Sequence, residues 1–370
     1  MIGEERAAYL FLSMLQAKTG SSIMSRLGDL SPADVPGMTV QELARRVKMT
    51  DRALNLFSEL QKDFDAHKLV ERLRSKEADF VTPVDENYPE RLRRIPDPPP
   101  ALFLKGVIPP APAVALVGSR KASPTGLDAA RQVGKALSER GVCVVSGLAL
   151  GIDAAAHEGA LSGSGPTVGV LGCGIDVVYP RSNRSLHQRV KNSGGVVSEY
   201  CLGEAPLPWR FPARNRIIAG LADVLVVVEA PEKSGALITA RHALESGRDV
   251  WAVPGPTSVA ECRGSNKLLA DGAGVLWDIP AFAEEIIPAT LTAQPKSRRD
   301  SIQQATVPAE LPKEEARVLA SIGFEPTPVD SLADRSGVDM LELLSAVALL
   351  ELKGYVTRDP TGSLLRSPIT

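Results

Sequence analysis

Gly118-Ser119-Arg120-Lys121 opens a turn that closes with Ser123 and Gly126, and its residue types suit a bound phosphate. Glycine lets a backbone approach an anion, the free N–H groups of a following helix point at it, and a guanidinium offers a fork of donors. The turn matches neither common nucleotide loop. It lacks the G-x-G-x-x-G spacing, and no G-x-x-x-x-G-K-[ST] run occurs in the chain. Other turns repeat the chemistry. Gly147 opens Gly-Leu-Ala-Leu-Gly, Arg181 and Arg184 flank Asn183, and Arg210, Arg214, Asn215 and Arg216 fall within seven residues. Lys233 precedes Ser234-Gly235 ahead of another helical stretch. One soluble dinucleotide needs one anion pocket, whereas a row of such turns suits successive phosphates of a polymer.

Each turn taken singly also reads as an ordinary strand-to-helix connection, and Arg214 and Arg216 as structural ion pairs. Asp153 and His157, four residues apart, share a helix face and could do acid–base work; the same histidine fits a role of ordering the loop above it. No serine or cysteine is suitably placed as a nucleophile, and the acidic and histidine residues lack metal-ligand spacing, so no catalytic residue, cofactor or metal is expected. Glu199 and Glu229 follow strands and are placed to order arginines. Aromatic residues make up only 4% of the chain. Tyr179, Trp209 and Phe211 lie beside the basic loops and fit base stacking or core packing.

These turns need a frame. Apolar strands at 113–118, 142–147, 167–172, 195–199, 223–230, 249–255 and 273–277 alternate with helical stretches. Continuously apolar strands with helices between predict a doubly wound α/β domain with a parallel sheet, whose ligands sit at the carboxyl ends of the strands. Before it, 4–16, 21–30, 39–49 and 51–76 carry helical periodicity, with Ser31-Pro32 and Thr39 as helix starts and Asp153 suited to cap a later one. Residues 87–106 are proline-rich and read as an ordered connector. Residues 284–312 are polar and aperiodic and read as a flexible linker. The rest, helix, helix, helix and terminal hairpin, follows the plan of a winged helix. The expected domains are 1–82, helical; 83–283, the α/β core; 284–312, linker; and 313–370, winged helix.

At 370 residues the chain calls for two or three domains. The net charge of −2 gives no overall pull toward nucleic acid, so any such site is local. Between 112 and 282 there are 17 Lys+Arg against 15 Asp+Glu, which concentrates the basic groups at the loops. The unit 313–370 has 6 against 9, and its third helical stretch, 339–352, has no Lys or Arg. Phosphate neutralisation dominates DNA affinity, so that unit reads as a protein-contact or regulatory module. The four cysteines lie far apart, and no signal peptide or membrane span is read, which fits a reducing cytoplasm.

The motifs PDPPPALFLKG, ALVGSRKASPTG, VVSGLALGIDAAAHEGAL, LGCGIDVVYPRSNRSL, FPARNRIIAGLADVLVVVEA, KSGALITARHALESGRDVWAVPG and GSNKLLADGA together resemble the DNA-processing protein DprA (Smf) family, densely over 87–277. The resemblance implies an extended Rossmann domain, a SAM- or helix-hairpin-helix-like N-terminal module and a C-terminal winged helix. It further implies single-stranded DNA binding without marked sequence preference, loading of the RecA recombinase during natural transformation, a homodimer through the Rossmann domain, and no catalytic activity. Carried onto this chain, Gly118, Ser119 and Arg120 contact backbone phosphate, Arg181 and Arg184 add ligands, and Arg214-Asn215-Arg216 forms a second basic element. The competing reading is a nucleotide-hydrolysing enzyme resembling the lysine-decarboxylase-like phosphoribohydrolases. Their P-G-G-x-G-T-x-x-E motif is replaced here by PEKSGALITARHA, without the paired glycines or the glutamate.

Overall fold

The structure, a computed structural model, describes residues 2–20, 22–163, 165–286, 312–322, 332, 339–353, 355–358 and 364–366. The chain divides into two compact units, Met1–Leu291 and Thr292–Thr370.

The first unit is built on a nine-stranded sheet of order β1-β2-β6-β5-β4-β3-β7-β8-β9. The strands are β1 (Asp79–Val81), β2 (Leu102–Gly106), β3 (Ala113–Val117), β4 (Cys143–Ser146), β5 (Thr167–Leu171), β6 (Gly195–Ser198), β7 (Val224–Val227), β8 (Asp249–Ala252) and β9 (Gly274–Val275). From β6 to β9 every pairing is parallel, while β1 on β2 and β2 on β6 are antiparallel. The chain winds outward from β3 to β6, then returns to lay β7 against the other side of β3. That reversal is the point where a crevice opens between diverging loops. The seven expected strands are all present, slightly shorter than their apolar runs. The connector at 87–106 holds two elements that its prolines hid, a short helix α5 (Glu90–Arg93) and the buried strand β2.

Helices α6 (Pro124–Glu139) and α7 (Ile152–Ser162) cover one face of the sheet, with Val133, Leu137, Ile152 and Ala156 packed on Val114, Leu116, Val144 and Val226. Helices α9 (Arg210–Leu221) and α10 (Gly235–Glu245) cover the other, with Ile217, Ile218 and Ala240 on Val117, Val145 and Leu225. Helix α8 (Arg184–Ser193) lies by β5 and β6, and α11 (Arg263–Ala270) and α12 (Ile279–Ile286) complete the layer.

The N-terminal region is helical, with α1 (Glu4–Thr19), α2 (Val40–Arg46), α3 (Asp51–Asp63) and α4 (Ala66–Ser75). Thr39 caps α2 through a reciprocal pair with Glu42. The expected helix over 51–76 is two, because the Asp65 carboxylate accepts the Lys68 N–H and starts a second one. Around Ser31-Pro32 there are turns and a 3-10 turn at Val35–Gly37, and among the described residues of 21–30 the helical geometry is the 3-10 turn Met24–Arg26. Helix α1 is buried on two sides. Phe11, Leu12 and Leu15 pack with Phe57 and Leu60, while Leu10 packs with Phe80, Phe103 and Leu171 beside the sheet. The helical module is thereby fastened to the core.

Residues 284–286 of the expected linker are the last residues of α12, and 287–311 lie outside the described residues. In the second unit α13 (Lys313–Ser321) and α14 (Met340–Leu352) pack through Val318, Leu319, Leu343 and Val347, and β10 (Val356–Arg358) pairs antiparallel with β11 (Leu364–Arg366). Apart from Leu332, the short helix expected at 329–337 lies outside the described residues.

Candidate nucleic-acid interface

At the switch point, the turns after β3 and β7 enclose an open cleft of about 410 Å³. Gly118, Ser119, Arg120, Lys121, Arg214, Asn215 and Lys233 all line it, so residues far apart in sequence meet there. The turn after β3 is fixed from below. The Ser119 N–H donates to the Glu229 carbonyl at 2.6 Å, and the Ile152 N–H donates to the Ser119 carbonyl at 3.1 Å. A Cβ on Gly118 would stand 2.7 Å from the Glu229 carbonyl, so only glycine passes there. Gly151, at φ 78°, would drive a Cβ into the Ser119 carbonyl.

Two expected phosphate ligands are taken up by this scaffold. Ser123 accepts the Gly126 N–H as the cap of α6 and donates through its hydroxyl to Glu229, whose other oxygen accepts the Ser123 N–H at 2.8 Å. Glu229 therefore orders a serine rather than an arginine. Gly147 is covered, because a Cβ would strike the Arg214 guanidinium and the Asp153 carboxylate.

Asp153 sits one residue inside α7, which Gly151 caps, and reaches back to accept the N–H groups of Gly147 at 3.1 Å and Ala149 at 3.4 Å. Arg214 donates to the carbonyls of Gly147 and Val170. Burial pushes the Asp153 carboxyl up and the Arg214 guanidinium down, each partly offset by the other's charge. His157 bonds Thr167 at 2.7 Å, and burial lowers its pKa to about 3. It ties α7 to β5 and is not paired with Asp153 for proton transfer.

Two more arginines serve the scaffold. Arg216 grips Glu199 with both Nη atoms, at 2.9 and 2.8 Å, and reaches Asp97 through Nε at 2.9 Å. Burial opposes its charge, but Glu199 outweighs that and holds its pKa above the ordinary arginine value. Arg210 bonds Glu204 at 2.6 Å and lies 4.5 Å over the Tyr200 ring. Both are nine-tenths buried, so neither is available to a ligand as sequence reasoning expected. The partner of Arg210 lies six residues before it, whereas those of Arg216 lie 17 and 119 residues away, which no local pattern signals.

By contrast, Arg120, Lys121, Arg181, Arg184 and Lys233 are exposed, and among the described residues none of them is drawn into an ion pair. Asn183 donates to the carbonyls of Leu148 at 3.0 Å and Ala149 at 3.2 Å, which latches the Arg181–Arg184 turn to the turn after β4. Leu148 adopts φ 54°, a left-handed conformation unusual for leucine, where its carbonyl receives that latch. Arg120 lies 5.2 Å over the Phe211 ring, and Phe211 stands 5.4 Å from the half-exposed Tyr179 ring. A guanidinium and two aromatic rings thus form a row, and Arg181 and Arg184 follow Tyr179 along the chain in the turn that Asn183 holds to the turn after β4. Sequence reasoning missed the Asn183 latch and the presence of Thr239 and Glu261 in the cleft wall. The one signal for the latch was an amide side chain set between two arginines.

Fold and site together define a doubly wound α/β protein with a cationic, aromatic rim at its switch point and a separate C-terminal unit. Residues 79–287 match the family described as DNA recombination-mediator protein A, and residues 303–362 match the DprA winged helix domain. The chain is 34% identical over 326 residues to Protein Smf of Synechocystis, covering 79% of this chain and 81% of that one. DNA processing protein A from Streptococcus pneumoniae superimposes with a TM-score of 0.63 at 35% identity, covering 74% of this chain and 95% of that one. DNA processing protein A from Helicobacter pylori, whose structure concerns its mode of binding single-stranded DNA, gives a TM-score of 0.52 at 29% identity, over 57% of this chain and 95% of that one. The chain belongs to the DNA recombination-mediator protein A family.

Among the described residues no helix is long and apolar enough to cross a membrane, and no cluster of three or more His, Cys, Asp or Glu is arranged to hold a metal.

Proposed function

We propose that this protein binds single-stranded DNA along the rim, without marked sequence preference, and mediates its handover to the RecA recombinase in natural transformation and recombination. The observation that carries the binding step is the row Arg120–Phe211–Tyr179–Arg181–Arg184. Exposed cations free of carboxylates track a backbone, and rings between them offer faces on which any base can stack. Lys121 and Lys233 widen the cationic track at the cleft, with the backbone of Gly118 and Ser119 beneath it. Arg210, Arg214 and Arg216 hold the platform rather than the DNA. The relative from Helicobacter pylori, whose structure concerns its mode of binding single-stranded DNA, supports the substrate class. The family description supports the role of mediator.

The protein acts as a binder rather than an enzyme. The deepest carboxylate of the cleft, Asp153, is engaged with backbone amides and Arg214, and His157 faces Thr167. A homodimer would use the far edge of the sheet, where β9 is two residues long and Val275 and Trp277 are 46% and 77% exposed. The acidic C-terminal unit would contact protein rather than DNA. Four free thiols fit a reducing cytoplasm.

The test is fluorescence anisotropy with labelled oligonucleotides of different sequence. Arg120→Ala weakens binding to all of them alike, and unchanged affinity for oligo-dT would remove the proposed site. Chromatography after incubation with nucleoside monophosphates checks the competing reading, and release of free base would establish it.

A further inference from the structure

A second groove lies between the N-terminal helices and the start of α9. It has a volume of about 460 Å³, and its wall brings together Lys18, Arg26, Arg52 and Trp209. The three cations come from separate elements: the last turn of α1, the 3-10 turn Met24–Arg26 and the first turn of α3. No residue in the wall is acidic. Arg26 spends one donor on the Lys48 carbonyl at 3.4 Å, and among the described residues none of the three cations is drawn into an ion pair. The neighbouring carboxylates Asp97 and Glu199 share a smaller cleft with Trp209, where Arg216 pairs with both and its single positive charge offsets one of the two.

Trp209 adds a second kind of contact. The indole rests against the backbone of Gly20, where a Cβ would stand 3.5 Å from the ring, and the Arg210 guanidinium lies 5.1 Å from its centroid. The side chain is still 41% exposed. Trp209 precedes the first turn of α9, and Phe211 follows two positions later. Residues two positions apart in a helix project to nearly opposite sides with Cα atoms about 5 Å apart. The start of α9 thus presents Phe211 to the rim and Trp209 to the groove.

We propose that this groove is a second polynucleotide subsite, which takes the backbone of a single strand continuing from the rim while a base lies on Trp209. Cations converging without carboxylates fit a polyanion. The exposed indole, two positions before Phe211 of the rim, favours a nucleic acid over an acidic peptide. The proposal rests on the reading of the rim as a DNA site. It assigns to the N-terminal module a direct share of the strand rather than a purely supporting role.

The experiment uses the full chain and two oligo-dT probes, of about 6 and about 24 nucleotides, the first short enough to be held by the rim alone. In a chain carrying Lys18→Glu, Arg26→Glu and Arg52→Glu, affinity for the short probe stays unchanged. Affinity for the long probe falls, and its slope of log K against log salt shrinks by about 2, at about 0.7 per lost contact. With Trp251→Phe and Trp277→Phe, the remaining Trp209 emission is quenched by the long probe and not by the short one. An unchanged long-probe slope overturns the subsite, as does a poly-glutamate peptide that displaces the long probe from the groove without disturbing the short one. Should the triple variant not fold, Arg52→Ala alone, at an exposed position, is expected to lower the long-probe slope by about 0.7. Short-probe binding that survives Arg120→Ala would instead count against the rim, which keeps the two failures apart.

Discussion

The arginines that begin α9 and the arginines of the rim are the same residue type with opposite employment. Arg210 and Arg216 are buried, aimed inward and matched by Glu204, Glu199 and Asp97; Arg214 is spent on carbonyls beside Asp153. Arg120, Arg181 and Arg184 stand in solvent without such partners among the described residues. A buried guanidinium that loses its carboxylate leaves an uncompensated charge, so evolution of a ligand site there would cost the fold. An exposed one carries no such debt and is free to meet a phosphate. Density of arginine in sequence therefore marks where charge is used, and only burial and partners tell for what.

The comparison predicts a stability effect on one side and a binding effect on the other. The largest is Arg216→Ala, which strands Glu199 and should destabilise the first unit by about 3–5 kcal/mol, read as a lower midpoint in urea. Replacing both partners, Arg216→Met with Glu199→Gln, should recover much of that loss. If the single variant melts like wild type, the scaffold role is wrong. Next comes Gly147→Val, whose side chain would collide with Arg214 and Asp153. It should cost about 1–3 kcal/mol and weaken DNA binding in parallel, since the turn that receives Asn183 shifts with it.

A smaller effect is pH dependence. Burial lowers the pKa of His157 from 6.5 to about 3 and of His187 from 6.5 to about 4. Below pH 6.5 the unfolded chain binds protons at these residues that the folded chain refuses, so stability is full above that pH and falls as the pH drops toward the folded values. Each histidine contributes a slope of about 1.4 kcal/mol per pH unit in that window. Urea midpoints from pH 7 to pH 5 should decline, and His187→Asn should flatten the decline. Smallest of all, Arg94→Ala, which removes only an exposed i,i+4 pair with Glu90, should shift stability by less than about 0.5 kcal/mol and leave DNA binding untouched.

Much of the frame was legible because its signals are local. The parallel strands show as apolar runs, the turns as glycine followed by a polar cation, and Thr39 as a helix start. The two antiparallel strands were obscured, since β2 follows four prolines within 96–100 and β1 is three residues long. The break at Asp65 was missed because apolar periodicity runs through it while the cap is a single side chain. Within the site, Gly118 to Lys121, Arg214, Asn215 and Lys233 were read from type and position, while Thr239 and Glu261 were not. The division of labour among the arginines was not, because Asp97, Glu199 and Arg216 meet only after the chain has wound through β6 and α9. The latch by Asn183 joins two crossovers in the same way.

The central claim is that DNA is held by the rim cations and not by the buried arginines. The salt dependence of oligo-dT binding tests it most directly, in wild type and in a chain carrying Arg120→Ala, Arg181→Ala and Arg184→Ala. The variant is expected to unfold normally and to show a slope of log K against log salt smaller by about 2. A variant that folds normally and binds with the wild-type affinity and slope would contradict it.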